Sequence, residues 1–213
     1  MKKRGLHIDD DEVGPSAPPP FKSSKTKDAD EDGEPLYVFF WRPGTEPEGW
    51  LSNWSKHGFE GEDGAHYFPT AEHYMMYQKA VLMEDQQKAK AILSTSSPRA
   101  AKALGRLVKN FNSEVWDEAK EDLMFRALEL KVRQNPAIRE KLALTVGRTI
   151  AEASPYDTTW GIGMRLGDEG VKDPANWRGK NLLGKAWMAV RDALLAGRYD
   201  DENQKKVTDF FYS

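Results

Sequence analysis

The chain has 213 residues, 39% of them hydrophobic and 11% aromatic, which suffices for one ordinary domain with tails. Its formal net charge is −3 and it has no cysteine, which rules out disulfides, thiolate nucleophiles and cysteine zinc sites. No run of about 18 apolar residues occurs, and MKKRGLHIDDDE has no apolar stretch after its basic residues. Neither a membrane span nor a secretory signal is therefore expected, and the expected location is intracellular, in cytoplasm or nucleus.

Residues 1–35 contain GPSAPPP and DADEDGEP and few large apolar side chains, the composition of a disordered acidic, proline-rich tail. Six basic and nine acidic residues fall there, so the tail accounts for the net charge and the rest of the chain balances at 25 of each sign. A neutral domain lacks the broad basic footprint of a protein that wraps a nucleic-acid backbone.

From Leu36 the run LYVFFW predicts a buried strand, ended by the loop RPGTEPEG. Thr70 is a suitable N-cap for a helix through about Met83, with Glu72 in the first turn, where the helix dipole favours a carboxylate. DQQKAKAIL predicts a second helix. Ser97 followed by Pro98 opens a third, which Gly105 is expected to close. Asn112 or Ser113 starts a long helix in which Val115, Ala119, Leu123, Ala127 and Leu130 recur until Asn135 and Pro136, and another helix follows. Thr149 to Ser154 reads as a short strand leading into PYDTTWGIG. Leu183, Trp187, Val190 and Leu194 mark a last helix from near Asn181 to Gly197. The expected fold is α+β, a mainly α-helical single domain over residues 36–197 with a few short strands and a C-terminal tail over 198–213.

Three groups of residues have chemical potential. In YFPTAEHYMMYQKA, Glu72 and Lys79 lie seven apart on one helical face, among Met75, Met76, Ala80, Leu82 and Met83. About 10 Å of helix axis separates them, so each needs another partner. One reading is two buried ion pairs. The other is a cleft floored by this helix, with Lys79 a desolvated amine and a carboxylate nearby to move protons. The loop SPYDTTWGIGM packs Asp157, Trp160, Gly161 and Gly163 together, which suits either a tight turn around a core tryptophan or a stacked, hydrogen-bonded ring. Arg99, Lys102, Arg106 and Lys109 form a basic stripe, and a stripe of this kind is more often a solvated face than a phosphate site. His66 and His73 are seven apart with no HExxH pattern, so no metal centre is expected.

In order along the chain, LSNW (Leu51 to Trp54), YFPTAEHYMMYQKA, Trp116 with Met124 and Lys131, IAEASPYDTTWGIG and NWRGKNLLGKAWMAVR make residues 36 to about 196 resemble the NADAR domain, also called the YbiA-like family. The family usually has Phe after LSN, and Trp54 here keeps a stacking ring. The resemblance implies hydrolysis of N-glycosidic bonds on ribose-containing substrates, without a cofactor. The first expected substrate is ADP-ribosylated guanine in DNA or RNA, a repair reaction, and the second a phosphoribosyl intermediate of riboflavin synthesis. A non-catalytic ADP-ribose reader is the alternative of another class. The resemblance further implies that Lys79 condenses with the anomeric carbon as a Schiff base, with Glu72 and Asp157 transferring protons. Trp54, Tyr67, Trp116 and Trp160 would then be walls, Gly161 a close-approach position, and Asn53, Glu152, Ser154 and Asn181 polar contacts. No membrane and no obligate protein partner is expected.

Overall fold

The computed structural model describes residues 36–199, and the N-terminal tail and all but the first two residues of the expected C-terminal tail lie outside them. β1 (Tyr37–Phe40) pairs in parallel with β4 (Thr149–Glu152), Tyr37 opposite Thr149 and Phe40 opposite Glu152. A short antiparallel ribbon joins β2 (Phe59–Glu60) to β3 (Tyr67–Phe68). Between them and after them run α1 (Ala71–Leu82), α2 (Gln86–Leu93), α3 (Pro98–Arg106), α4 (Ser113–Gln134), α5 (Pro136–Ala143) and α6 (Leu182–Leu195). The fold is thus α+β with helices predominating, as the helical periodicities require.

The helix starts follow side-chain capping. Thr70, Ser97 and Asn112 each accept a backbone N–H of the following turn, which satisfies donors that a helix start leaves orphaned. Gly105 does not close α3. It is a buried helical position where an added Cβ would lie 2.1 Å from the Met76 sulfur, so the missing side chain sets how closely α3 approaches α1.

The main core lies between α1, α4, α6 and the β1–β4 pair, and includes Val38, Phe40, Leu51, Met75, Met124, Leu128, Ile150 and Trp187. Trp187 is fully buried, packs edge-on against Trp50 at 5.6 Å between centroids, and donates its indole N–H to the Leu51 carbonyl at 2.8 Å. Tyr199 is 3% exposed and belongs to this core, so the domain extends past Gly197, where a tail was expected.

At the start of α6, a Cβ on Gly184 would come within 2.1 Å of the Ile150 carbonyl. Gly184→Ala therefore has to push α6 off β4, and we expect a loss near the upper end of overpacking costs, about 3 kcal/mol, read from denaturant midpoints.

Candidate active site

Glu72 begins the site. The cap at Thr70 starts α1 so that the backbone N–H of Glu72 donates to the Asn53 carbonyl at 3.1 Å, fixing the helix against the loop that carries Asn53 and Trp54. The carboxylate is 7% exposed, and its Oε2 accepts the Trp54 indole N–H at 3.2 Å. α3 crosses α1 at Gly105 and directs Lys102 toward the same place, its Nζ 6.0 Å from the Trp54 ring centroid. Lys102 is therefore no solvated-face residue. Lys109 falls beyond the end of α3 and does not continue the stripe.

The second carboxylate comes from the end of β4. The Glu152 backbone N–H donates to the Asn181 side-chain oxygen at 3.1 Å, and its carbonyl accepts from Ile162 N at 2.9 Å. Its Oε2 is buried with no hydrogen-bond partner among the described residues, and so is Oδ1 of Asn53. Each oxygen is an acceptor available to a polar group. Asp157 supplies the third carboxylate, but its Oδ1 already accepts Thr159 N at 2.9 Å and Trp160 N at 2.7 Å, so one oxygen holds the loop.

Burial raises Glu72 above the usual carboxylate range, with Lys102 and the Trp54 bond pulling the other way and the neighbouring Asp157 adding to the rise. Burial, with Asp157 and Glu72 beside it, pushes Glu152 up to about 8 despite the opposing pull of Lys102. A carboxyl held at about 8 favours its protonated form at neutral pH.

Lys79 stands farther along α1. Its Nζ lies 4.1 Å from the Phe111 ring centroid and 5.7 Å from that of Trp116, and burial lowers its pKa. Its immediate neighbours are aromatic faces rather than methionines. Among the described residues no carboxylate pairs with it, so the two-ion-pair reading of Glu72 and Lys79 does not hold.

The remaining expected site residues divide. Trp54 and Trp116 flank the carboxylates and the amine respectively, and Trp160 packs on the edge of the core. A Cβ on Gly161 would sit 2.9 Å from the Asp157 carbonyl and 3.0 Å from that of Glu152, so this glycine lets the loop close on β4. Ser154 is buried beside it, 3.2 Å from that same Cβ position. Asn181 is spent on the fold. With φ 52 it bonds the Glu152 N–H through Oδ1 and donates Nδ2 to the Ile150 carbonyl at 2.9 Å, leaving little for a ribose. Tyr67 is not brought to the site. It is 61% exposed and its hydroxyl overlies Gly58, whose carbonyl is held by Asn135. Asn135 and Trp116 are at opposite ends of α4, roughly 28 Å apart by helical rise.

Two lysines escaped assignment as site residues. Lys102 stood in the basic stripe of α3, but a helical wheel does not say what a face meets. Lys131 gave a signal, since it continues the Ala127 stripe of α4. It is fully buried, donates to Ser55 Oγ at 3.0 Å, and burial brings its pKa down to about 7. Among the described residues no group of three His, Cys, Asp or Glu is arranged to hold a metal ion, and no helix is long and apolar enough to cross a membrane.

The model of the NADAR domain matches residues 39–195. N-glycosidase R617 of Acanthamoeba polyphaga mimivirus is 40% identical over 163 residues, covering 73% of this chain and 95% of that protein. The chloroplastic riboflavin biosynthesis protein PYRR of Zea mays is 33% identical over 157 residues, 69% of this chain but 23% of the maize protein. The NMR structure of the E. coli protein YbiA superposes with a TM-score of 0.63 at 26% identity, covering 83% of this chain and 90% of that one.

Proposed function

We propose, from the premise that this chain belongs to the NADAR domain family, that it is an N-glycosidase cleaving the bond between a ribose anomeric carbon and a base nitrogen. The observation that carries this reading is the group of Glu72, Glu152 and Asp157, with Glu72 buried, the Glu152 pKa pushed up to about 8 and its Oε2 unpartnered among the described residues. Cleaving an N-glycosidic bond needs a proton delivered to the departing base, and a carboxyl acid held up to about 8 still carries one at pH 7.

The covalent route uses Lys79. Its lowered pKa raises the free-amine fraction, and its nitrogen attacks the anomeric carbon as the bond to the base breaks and the base takes the Glu152 proton. Asp157 or Glu72, in its carboxylate form, accepts the proton lost from the attacking nitrogen and passes it to the ring oxygen as the ring opens. Opening of the ribose ring gives the Schiff base, and water then adds to the same carbon, releasing lysine and sugar. Reaching the sugar requires the amine to leave its aromatic seat, a cation–π contact that costs about 0.5–2 kcal/mol to give up.

The substrate we propose is ADP-ribosylated guanine in nucleic acid, with phosphoribosyl riboflavin intermediates as the second reading, favoured by the similarity to the maize protein. Incubating the protein with an ADP-ribosylated guanine oligonucleotide and, in parallel, with the riboflavin intermediates decides between them. Release of ADP-ribose supports the first. Release of ribose phosphate alone supports the second, and ADP-ribose binding without release from either supports a reader.

Glu152→Gln is expected to lower kcat by about 10²–10⁴ on the accepted substrate. Wild-type activity should fall as pH rises through about 8, where the acid loses its proton. Because the folded pKa lies above the unfolded one, this group costs the protein stability as pH climbs from 4.5 to about 8. The variant should therefore melt higher than wild type at pH 8 and lose most of that advantage at pH 4.5. An unchanged rate, or no pH dependence of the melting difference, would remove Glu152 from the acid role.

A further inference from the structure

A hollow of about 450 Å³ opens beside Trp54, and Glu72, which bonds the Trp54 indole N–H, is not among its lining residues. Pro43, Pro47, Pro98, Trp50 and Trp54 give it flat apolar walls, while Lys56, His57 and Lys141 line it with basic groups and Glu46 with the one carboxylate. Its volume falls in the range of about 300–1,000 Å³ typical of ligand pockets. Lys131 lies beneath the floor, bonded to the lining residue Ser55.

The basic groups are grouped, not scattered. Burial lowers the His57 pKa, and Lys131 and Lys141 lower it further. Its Nδ1 is buried with no hydrogen-bond partner among the described residues. Two lysines against the one carboxylate of Glu46, with an unmet hydrogen-bonding group, favour an anion, and the tryptophan and proline faces beside them favour a planar ring.

We infer that this hollow is a second subsite, which binds a nucleoside monophosphate moiety with its phosphate toward Lys56, His57 and Lys141 and its base against Trp54 and Trp50. Trp54 is then shared: its N–H orients Glu72 and its ring meets the distal nucleotide. The inference deepens the proposed function, since a substrate with a nucleotide beyond the scissile ribose would reach from the carboxylates into the hollow. A phosphoribosyl substrate that ends at the ribose phosphate would leave the hollow empty.

The test uses the full chain and AMP, with adenosine and inorganic phosphate as separate probes. Four histidines make the side-chain NMR signals few enough to assign, with His57→Gln identifying its own. AMP should perturb the His57 ring signals and bind at least about tenfold more tightly than either adenosine or phosphate alone. The double variant Lys56→Ala/Lys141→Ala, confined to two exposed residues, should weaken AMP binding at least about tenfold while leaving the melting temperature in place. AMP that leaves His57 unperturbed, or that binds the double variant as tightly as wild type, overturns the subsite. Binding is measured without turnover, so its failure is separate from a failure to hydrolyse any substrate, which would refute the glycosidase reading instead.

Discussion

Lys79→Ala should reduce kcat by about a thousandfold or more, roughly 4 kcal/mol of barrier, on whichever ribosyl substrate the wild type accepts. The expectation follows from where the amine stands. It is half-buried against Phe111 and Trp116, desolvated enough to lower its pKa, and not neutralised by a carboxylate of the described residues. Removing it should disturb folding little, because the side chain packs on an exposed Phe111 and a partly buried Trp116 rather than inside the core. The measurement is single-turnover kinetics with the melting temperature as control. Lys79→Arg, which keeps the cation over the rings without a nucleophilic amine, should be as inactive as Lys79→Ala. Activity retained in Lys79→Arg would mean that charge, and not covalent attack, is what the site needs.

Lys131→Met should make the protein more stable at pH 6, by roughly 1–4 kcal/mol. The wild-type side chain is fully buried with a single hydroxyl partner, Ser55, and burial brings its pKa from 10.5 down to about 7. Below pH 7 the folded protein must carry an ammonium ion in its interior, a cost that an apolar side chain of similar length avoids. Between about 7 and 10.5 the unfolded chain binds a proton at this lysine that the folded chain does not. Wild-type stability should therefore rise with pH across that window, and the rise should be smaller in the variant. Loss of the Ser55 hydrogen bond offsets the gain by about 1 kcal/mol. Denaturant midpoints at pH 6, 8 and 10 measure this directly. A variant less stable than wild type at pH 6 would show that the buried amine has partners which compensate its charge.

What the sequence made legible was local. Thr70, Ser97 with Pro98, and Asn112 are capping residues whose chemistry acts within one turn, and each begins a helix where expected. The long stripe of α4 carried enough periods to be unambiguous. Gly105 was misjudged because a glycine reads the same whether it ends a helix or admits a neighbour, and the sulfur of Met76 that explains it is distant in sequence. The parallel pairing of β1 with β4 spans more than a hundred residues and leaves no local mark. At the site, Glu72 and Lys79 announced themselves as charges on an apolar face. Glu152 announced only polarity, since its raised pKa depends on burial first and then on Asp157 and Glu72 beside it, none of which the local sequence shows. Asn181 was read as a ligand contact for the same reason that makes it a good fastener: a side-chain amide has a donor and an acceptor, and here β4 takes both.

The account rests on a covalent bond between one nitrogen and a sugar. Incubating the protein with ADP-ribosylated guanine oligonucleotide in the presence of borohydride, then digesting and mapping by mass spectrometry, tests it most directly. The reduced sugar adduct should sit on the peptide bearing Lys79 and be absent from Lys79→Arg. Base release at the normal rate with every lysine unmodified would contradict it.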